Sequence, residues 1–387
     1  MPVTADTPGL LDGLTVLDFS QFLSGPFAAL RLGDLGARVI KVERAGGGDL
    51  CRGMYLTPTD DMGRDSTLFH TINRGKESFA VDLKDPDGLA QVRALIAGAD
   101  VLIQNFRPGV IDRLGLGQRA VAEINPRLVY CSITGFGTEG PWVARPGQDL
   151  LAQARSGLMF LNGDEGQGPL PFGLAIADVL AGTAIVQGAL AALVRRGRTG
   201  QGGHVETSLL DCLIDFQFEV LTTYLNDGGR LPERAGYRNA HAYLSAPYGI
   251  YPTADGYLAL AMTPLDRLAP LLDPLELAGL GDSAPFRRRD ELKRRIAAQL
   301  SERATEAWLA VLEPEDIWCA GVLDWDSLLR EEAFRRLDML QELPRPEGDA
   351  MHTLRAPIRV DGARPRGRAA GPALGQHTEA IRQEFGL

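Results

Sequence analysis

Histidine and cysteine are scarce in this chain, and neither is arranged for chemistry that needs them in clusters. Four cysteines, Cys51, Cys131, Cys212 and Cys319, lie far apart with no C-x-x-C pair. That spacing argues against a disulfide framework or a structural zinc site and fits reduced thiols. Five histidines, His70, His204, His241, His352 and His377, show no metal-ligand spacing, so each reads as structural and no metal site is expected. Positive charge is also in short supply. The formal net charge is −10, which argues against nucleic acid as a partner, because phosphate binding needs a basic surface. Residues 1–14 have no basic start followed by an apolar block, so they read as a short surface lead-in rather than a secretory signal, and a cytoplasmic protein is expected.

Familiar catalytic fingerprints are missing too. The turn after the first apolar run reads Ser20-Gln-Phe-Leu-Ser-Gly-Pro, without the G-x-G-x-x-G that lets a backbone approach a pyrophosphate. No G-x-S-x-G elbow presents a serine nucleophile. The run Arg44-Ala-Gly-Gly-Gly-Asp could cradle an anion through its amides, but it lacks the Gly-Lys-Ser/Thr ending of a triphosphate loop. One long apolar stretch, residues 174–194, would suffice for a membrane span by length. Asp178 and Gln187 interrupt it and much of the rest is Ala and Gly. A closely packed core helix is the better reading, and no membrane partner is expected.

What is present is alternation. Of 387 residues, 45% are hydrophobic and 23% charged, an ordinary globular balance that allows one large or two medium domains. Strand-like runs begin at Thr15, Arg38, Ser78, Val101 and Leu128, with helical patterns at residues 25–36 and 85–99, the latter opened by Asp-Pro-Asp. This predicts an α/β fold with a parallel sheet covered on both faces. Ligands on such sheets sit at the carboxyl ends of the strands. The loops there, residues 20–26, 44–52, 84, 105–107 and 134–140, are rich in Gly, Pro, Asn and Arg.

Further on, a Gly-rich turn after Arg195 precedes a strand and a long helix over residues 204–224. Two strands around Tyr248–Tyr251 and Tyr257–Met262 are joined by Thr253-Ala-Asp-Gly, a hairpin turn. A smaller α+β domain is expected there. Residues 264–343 read as helical, with the basic run from Arg287 as a solvated face. The tail, with Pro357-Ile-Arg-Val and a short helix after Gln376-His-Thr, is expected to pack back onto the first domain. The expected division is a large domain over 1–200 completed by 331–387, a small domain over 225–330, and linkers over 201–224 and about 331–345. No internal repeat is found.

Asp178, in Leu174-Ala-Ile-Ala-Asp-Val-Leu-Ala-Gly, must be desolvated, paired or used. It can be read as the N-cap of the helix that follows or as a catalytic carboxylate, and the two roles are compatible.

Read in order, Leu11-Asp-Gly-Leu-Thr-Val-Leu-Asp-Phe, Gly33-Asp-Leu-Gly-Ala-Arg-Val-Ile-Lys-Val-Glu, Asn105-Phe-Arg-Pro-Gly, Asp112-Arg-Leu-Gly, Thr199-Gly-Gln-Gly and Pro372-Ala-Leu-Gly-Gln-His-Thr resemble the family III (CaiB/BaiF) CoA transferases over nearly the whole chain. The resemblance implies a Rossmann-like large domain and a homodimer of interlocked chains. It implies an acyl-CoA and a carboxylic acid as substrates, with coenzyme A passing through as substrate rather than as a bound cofactor. The family's catalytic aspartate falls on Asp178, which would carry an acyl anhydride and then an aspartyl-CoA thioester. Its CoA contacts fall on Leu23, Ser24 and Arg44, then on Val81, Asp82, Leu83 and Lys84. Further contacts fall on Asn105, Phe106, Arg107 and Arg113, and on Gln148 and Asp149. Arg44, Lys84 and Arg113 suit phosphate pairing or stacking on the adenine.

Two related readings compete. Racemases of the family carry a Gly-His-Asp step where this chain has Gly147-Gln148-Asp149, and a glutamine amide cannot shuttle a proton. A CoA-binding scaffold without activity is disfavoured by the presence of Asp178. Leu23 replaces a glutamine of formyl-CoA transferase and the glycine-repeat loop is absent near residues 237–245, which argues against formate and oxalate. A larger acid, such as a dicarboxylate, is expected near Arg238, Asn239, His241 and Tyr243.

Overall fold

The computed structural model describes residues 9–57, 65–272 and 284–387. The first eight residues of the expected lead-in lie outside the described residues. The chain divides into two compact units. The first runs to Ala152, resumes over Ala175–Leu213 and closes with Arg335–Leu387; the second comprises Gln153–Leu174 and Ile214–Phe334.

The first unit is built on six parallel strands: β1 (Thr15–Asp18), β2 (Arg38–Arg44), β3 (Glu77–Val81), β4 (Val101–Gln104), β5 (Val129–Thr134) and β6 (Gly203–Ser208). Their order is β3-β2-β1-β4-β5-β6, the doubly wound arrangement in which the chain changes direction between β1 and β4. Every residue of β4 and β5 is buried, as expected when helices cover both faces of a parallel sheet. Register places Leu17 beside Ile40 on one side and Leu102 on the other. These pack with Phe19, Val42, Phe79, Leu95, Ile96 and Tyr130 into one core, each large side chain contributing about 1.5–3 kcal/mol by leaving water.

Four helices matter for the site: α1 (Ser24–Asp34), α2 (Pro86–Gly98), α3 (Asp149–Ser156) and α4 (Ile176–Thr199). The Asp-Pro-Asp start of α2 works as expected, with Asp85 at the N-cap and proline in the first turn. Among the described residues α4 alone is long and apolar enough to cross a membrane. Its buried residues Ala177, Ala181, Ile185 and Ala189 recur every fourth position, forming a single narrow stripe of mostly small side chains. That stripe lies against α1, β5 and β6.

Residues 204–224 do not form one strand and one long helix. Gly203–Ser208 becomes the sixth sheet strand, and the helix breaks at Gln217 into Leu209–Phe216 and Phe218–Asn226. In β6 intermediate and exposed residues alternate over the first five positions, because it is the edge strand, so its sequence lacks the apolar run that marks its neighbours.

In the second unit, β7 (Gly249–Pro252) and β8 (Tyr257–Leu260) pair antiparallel around the expected hairpin turn, where Thr253 N–H donates to Gly256 O at 2.9 Å. The strand β9 (Cys319–Gly321) adds to β8. Tyr251, Leu258, Leu292, Ile296, Trp308 and Leu312 form this unit's core. Residues 264–343, of which 273–283 lie outside the described residues, read as helical. Instead β9 interrupts them, and β10 (Leu340–Leu343), belonging to the first unit, ends them by pairing with β11 (Met351–Leu354). Three residues are too few to show a period, so only the pairing with β8 defines β9. The Pro357 run forms no strand, only a single bridge between Val360 and Ala363.

The final helix, Thr378–Phe385, covers the edge strand β3 and sends Ile381 into the first unit's core. Ser78 N–H donates to His377 Nδ1 at 3.1 Å and Ala80 N–H to Thr378 Oγ1 at 3.0 Å. Edge amides open to pairing with another chain are thereby occupied.

Candidate active site

The crevice between β1 and β4 is where this topology places ligands. From β1 the chain passes through Ser20–Leu23 into α1. This turn is held by side chains rather than by a glycine pattern. Asn105, just past β4, accepts Gln21 N–H at 2.9 Å and donates to Gln21 O at 2.7 Å. Phe22 takes a left-handed backbone, φ 63°, a conformation that costs an L-residue of order 1 kcal/mol. Its N–H donates to Asp49 Oδ1 at 3.2 Å. At Gly25 a Cβ would fall 2.2 Å from the Cβ of Ser20, so only glycine lets α1 begin this close to the turn.

Asp178 stands opposite that turn. It is the third residue of α4 rather than its N-cap, which is Ala175 with no side-chain bond. Asp149, at the start of α3, supplies the cap instead: its Oδ2 accepts Ala177 N–H at 2.7 Å and Asp178 N–H at 3.2 Å. The expected capping role therefore belongs to Asp149, and the carboxylate of Asp178 is left to face α1. There the N–H and hydroxyl of Ser24 are the groups that favour its ionised form. Burial, then the like charge of Asp149, pushes its acid up to about 6, while Ser24 pulls the other way. In a dinucleotide fold this helix start would meet a phosphate; here it meets a carboxylate of the chain itself. One turn later, a Cβ on Gly182 would sit 2.7 Å from Ser24 O and 2.8 Å from the Phe27 ring, so glycine is what allows α4 to approach α1.

Beside the turn opens a cavity of about 220 Å³. Of the residues matched to CoA contacts, Arg44, Val81, Asp82, Leu83, Lys84 and Phe106 line it. Val81, Leu83 and Phe106, with Phe19, Val42 and Leu114, give it apolar walls, while Arg44 and Lys84 are exposed cations. Such a surface suits a flat ring that carries phosphate. Leu23, Ser24 and Asn105 belong to the β1 turn. Arg107, Arg113 and Gln148 are exposed and, among the described residues, do not line this cavity. Asp149 is 6% exposed and turned to α4.

Sequence reading gave no site role to Lys41 and Glu43, which with Asp49 of the Arg44–Asp49 run also line the cavity and are buried. The signal was available: charge inside the apolar run of a central strand must be paired or used.

Arg238, Asn239, His241 and Tyr243 lie in the second unit. Arg238 has φ 52° and its guanidinium stands 5.7 and 5.6 Å from the Tyr237 and Tyr257 rings. Asn239 is fixed, its N–H donating to Asp164 at 2.7 Å and its Oδ1 accepting Ala235 N–H at 3.0 Å. His241 Nε2 is 3.9 Å from Glu219 and its Nδ1 accepts Tyr243 N–H at 3.2 Å. The Tyr243 hydroxyl is buried with no hydrogen-bond partner among the described residues.

Comparison with known proteins finds relatives along nearly the whole chain. A family model described as CoA-transferase family III matches residues 11–378. The chain is 34% identical to succinyl-CoA:glutarate CoA-transferase of Mus musculus, covering 97% of this chain and 86% of that one. It is 33% identical to succinate–glutarate CoA-transferase of Agrobacterium fabrum, over 97% of this chain and 95% of that one. It is also 33% identical to acetyl-CoA:oxalate CoA-transferase of Acetobacter aceti, over 99% and 98%. A solved CAIB/BAIF family protein from Brucella suis superposes with a TM-score of 0.84 at 34% identity, covering 98% of this chain and all of that one.

Proposed function

The chain belongs to CoA-transferase family III, and from that membership we propose that Asp178 is the carboxylate through which it moves CoA from an acyl-CoA to a carboxylic acid. The observation that carries this reading is a half-buried carboxylate in the first turn of α4, beside Ser24 of α1, whose acid is raised to about 6. A carboxylate with that value is mostly ionised at neutral pH and more basic than an exposed one, which favours attack.

The steps balance without an outside reagent. An oxygen of Asp178 attacks the thioester carbonyl, the C–S bond breaks, and a mixed anhydride and CoA thiolate form. The thiolate attacks the aspartyl carbonyl, releasing the donor acid and leaving aspartyl-CoA. The acceptor carboxylate then attacks that thioester, giving a second anhydride and thiolate. Attack of the thiolate on the acceptor's acyl carbon yields the new acyl-CoA and restores the carboxylate.

The cavity at Arg44, Lys84 and Phe106 is the proposed place of the nucleotide end of CoA. The names of the mouse and Agrobacterium relatives support a dicarboxylate such as glutarate or succinate as the acid, with Arg238, Asn239, His241 and Tyr243 on the second unit as the group that receives it. The name of the Acetobacter relative brings oxalate back among the acids to test. The active form is proposed to be a cytoplasmic homodimer of interlocked chains.

The test incubates the protein with succinyl-CoA or acetyl-CoA and a panel of glutarate, mesaconate and oxalate, then traps with hydroxylamine and maps the adduct by mass spectrometry. The expected adduct is on residue 178, with transfer reduced at least about 1000-fold in Asp178→Asn. Exchange at the unaltered rate in that variant would falsify the assignment. Unchanged KM for every acid in Arg238→Ala would remove the second-unit site.

A further inference from the structure

Beneath the β1 turn lies a group of four buried charges that the transfer steps do not use. Asp18, at the end of β1, is fully buried, as are Lys41 in the middle of β2 and, to within a few per cent, Lys76 before β3 and Asp49 after β2. Lys76 Nζ lies 2.7 Å from Asp18 Oδ2, and Lys41 Nζ lies 2.8 Å from Asp49 and 3.7 Å from Asp18. Two cations thus face two anions, and the buried Glu43–Arg52 pair adjoins them, Glu43 Oε1 accepting Asp49 N–H at 3.0 Å.

Most of the four groups' remaining bonds go to the segment that follows β1, although Asp49 Oδ1 also accepts Cys51 N–H at 3.0 Å. Lys41 Nζ donates to Ser20 O at 2.9 Å, and Lys76 Nζ donates to Pro26 O at 2.9 Å and to Asn73 Oδ1 at 2.9 Å. Asp18 Oδ1 accepts the N–H of Ser20 at 3.0 Å and also its hydroxyl. Asp49 Oδ1 accepts Phe22 N–H. Both ends of the segment from Ser20 to Pro26 are therefore fastened to charged groups, with the left-handed Phe22 fastened between them. Ser24, the residue in that segment whose N–H and hydroxyl favour the ionised form of Asp178, is itself 3% exposed, and a Cβ on Gly182 of α4 would sit 2.7 Å from its carbonyl oxygen.

We infer that Lys76 and Lys41, with Asp18 and Asp49, are positioning residues that hold the Ser20–Pro26 segment so that Ser24 stays against α4 beside Asp178. The inference rests on Asp178 as the reacting carboxylate. A buried neutral side chain could fill the same space at less desolvation cost, yet only an ammonium supplies three donors directed at a carboxylate and at backbone carbonyls together.

Ser24 lowers the acid of Asp178, so loosening the segment away from α4 raises it. Expected for Lys76→Met is an acid limb of kcat/KM displaced upward by about half to one pH unit, the same direction as Ser24→Ala. Ser20 and Gln21 of the segment also line the cavity, so a rise in KM for the CoA thioester is expected beside the moved limb. Lys76→Met may be read only if circular dichroism shows it folded. The double variant Asp18→Asn/Lys76→Met removes both charges and leaves neither unpaired, and it carries the same expectation. A folded variant whose acid limb stays in place overturns the inference. Failure of both variants to fold overturns it as well, since the charges would then serve the fold rather than the nucleophile. Asp178→Asn run alongside separates this from the assignment itself: an inactive Asp178→Asn with an unmoved limb in Lys76→Met sinks only the positioning role.

Discussion

Each unit buries a lysine whose ammonium is lowered to about 8, first by desolvation in both cases, yet the two are supported differently. Lys76 in the first unit meets a carboxylate, an amide oxygen and a backbone carbonyl. Lys293 in the second, 1% exposed, donates to a single backbone carbonyl, that of Arg238, at 2.9 Å. The first is one corner of a neutralised cluster built around a turn; the second is a peg under a loop. Burial of charge by itself does not mark a reacting site. What distinguishes the first unit is that the paired charges converge on the segment that touches the candidate nucleophile.

The largest expected effect separates the two regions by stability. Asp18→Asn leaves Lys41 and Lys76 with too little negative charge and should cost about 3–5 kcal/mol. Lys293→Met orphans one carbonyl while relieving a desolvated ammonium, and should cost about 1 kcal/mol. Guanidinium unfolding of both variants gives the comparison, and equal losses would break it.

Next is a gain. The acid of Asp178 is raised from 3.8 to about 6, so the folded state binds more protons than the unfolded state between those values. Stability from this group is present below about pH 4 and lost as pH rises through 6. Asp178→Asn should therefore stabilise the protein by about 1–3 kcal/mol at pH 7.5 and by nearly nothing at pH 4, as thermal or denaturant melts at the two pH values would show. A smaller change comes from Gly182→Ala, which must push α4 from α1; a loss of about 1–3 kcal/mol should accompany a fall in kcat. An unaltered kcat would show that the contact at Ser24 tolerates movement.

The smallest effect is a shift of pH dependence. Asp149 and Asp290 each accept backbone N–H groups through a carboxylate, the former at Ala177 and Asp178, the latter at Gly236 at 3.0 Å. Asparagine keeps an acceptor in both places. Asp149→Asn also removes the like charge beside Asp178 and should move the acid limb of kcat/KM down by about half a unit to one unit. Asp290→Asn should leave that limb where it is, and a shift there would erase the contrast.

Much of the frame was legible because its signals are local. The apolar runs at Thr15, Arg38 and Val101 had to be buried strands, the Asp-Pro-Asp before α2 had to open a helix, and the Thr-Ala-Asp-Gly turn had to close a hairpin. The elements that escaped are those whose partners are distant. β6 is polar because it is an edge, β9 is three residues that only β8 recruits, β10 closes a stretch that reads as helical, and β11 lies in the Pro- and Gly-rich tail. The site divides the same way. Asp178 was conspicuous as a charge in an apolar stretch, whereas the assignment of the cap to Asp149, 29 residues away, left no local trace.

Sequence alone determined that a carboxylate would be desolvated at the start of a small-residue helix in a parallel α/β protein, because periodicity and the cost of burying charge are properties of short segments. Tertiary structure decided which groups answer that carboxylate. Ser24 reaches it across two helices, Asp149 takes the amides that would have lowered its acid further, and Lys41 and Lys76 come from different strand regions to hold the turn. Such choices depend on distances of a few ångströms between residues far apart in the chain, and a one-dimensional pattern does not contain them.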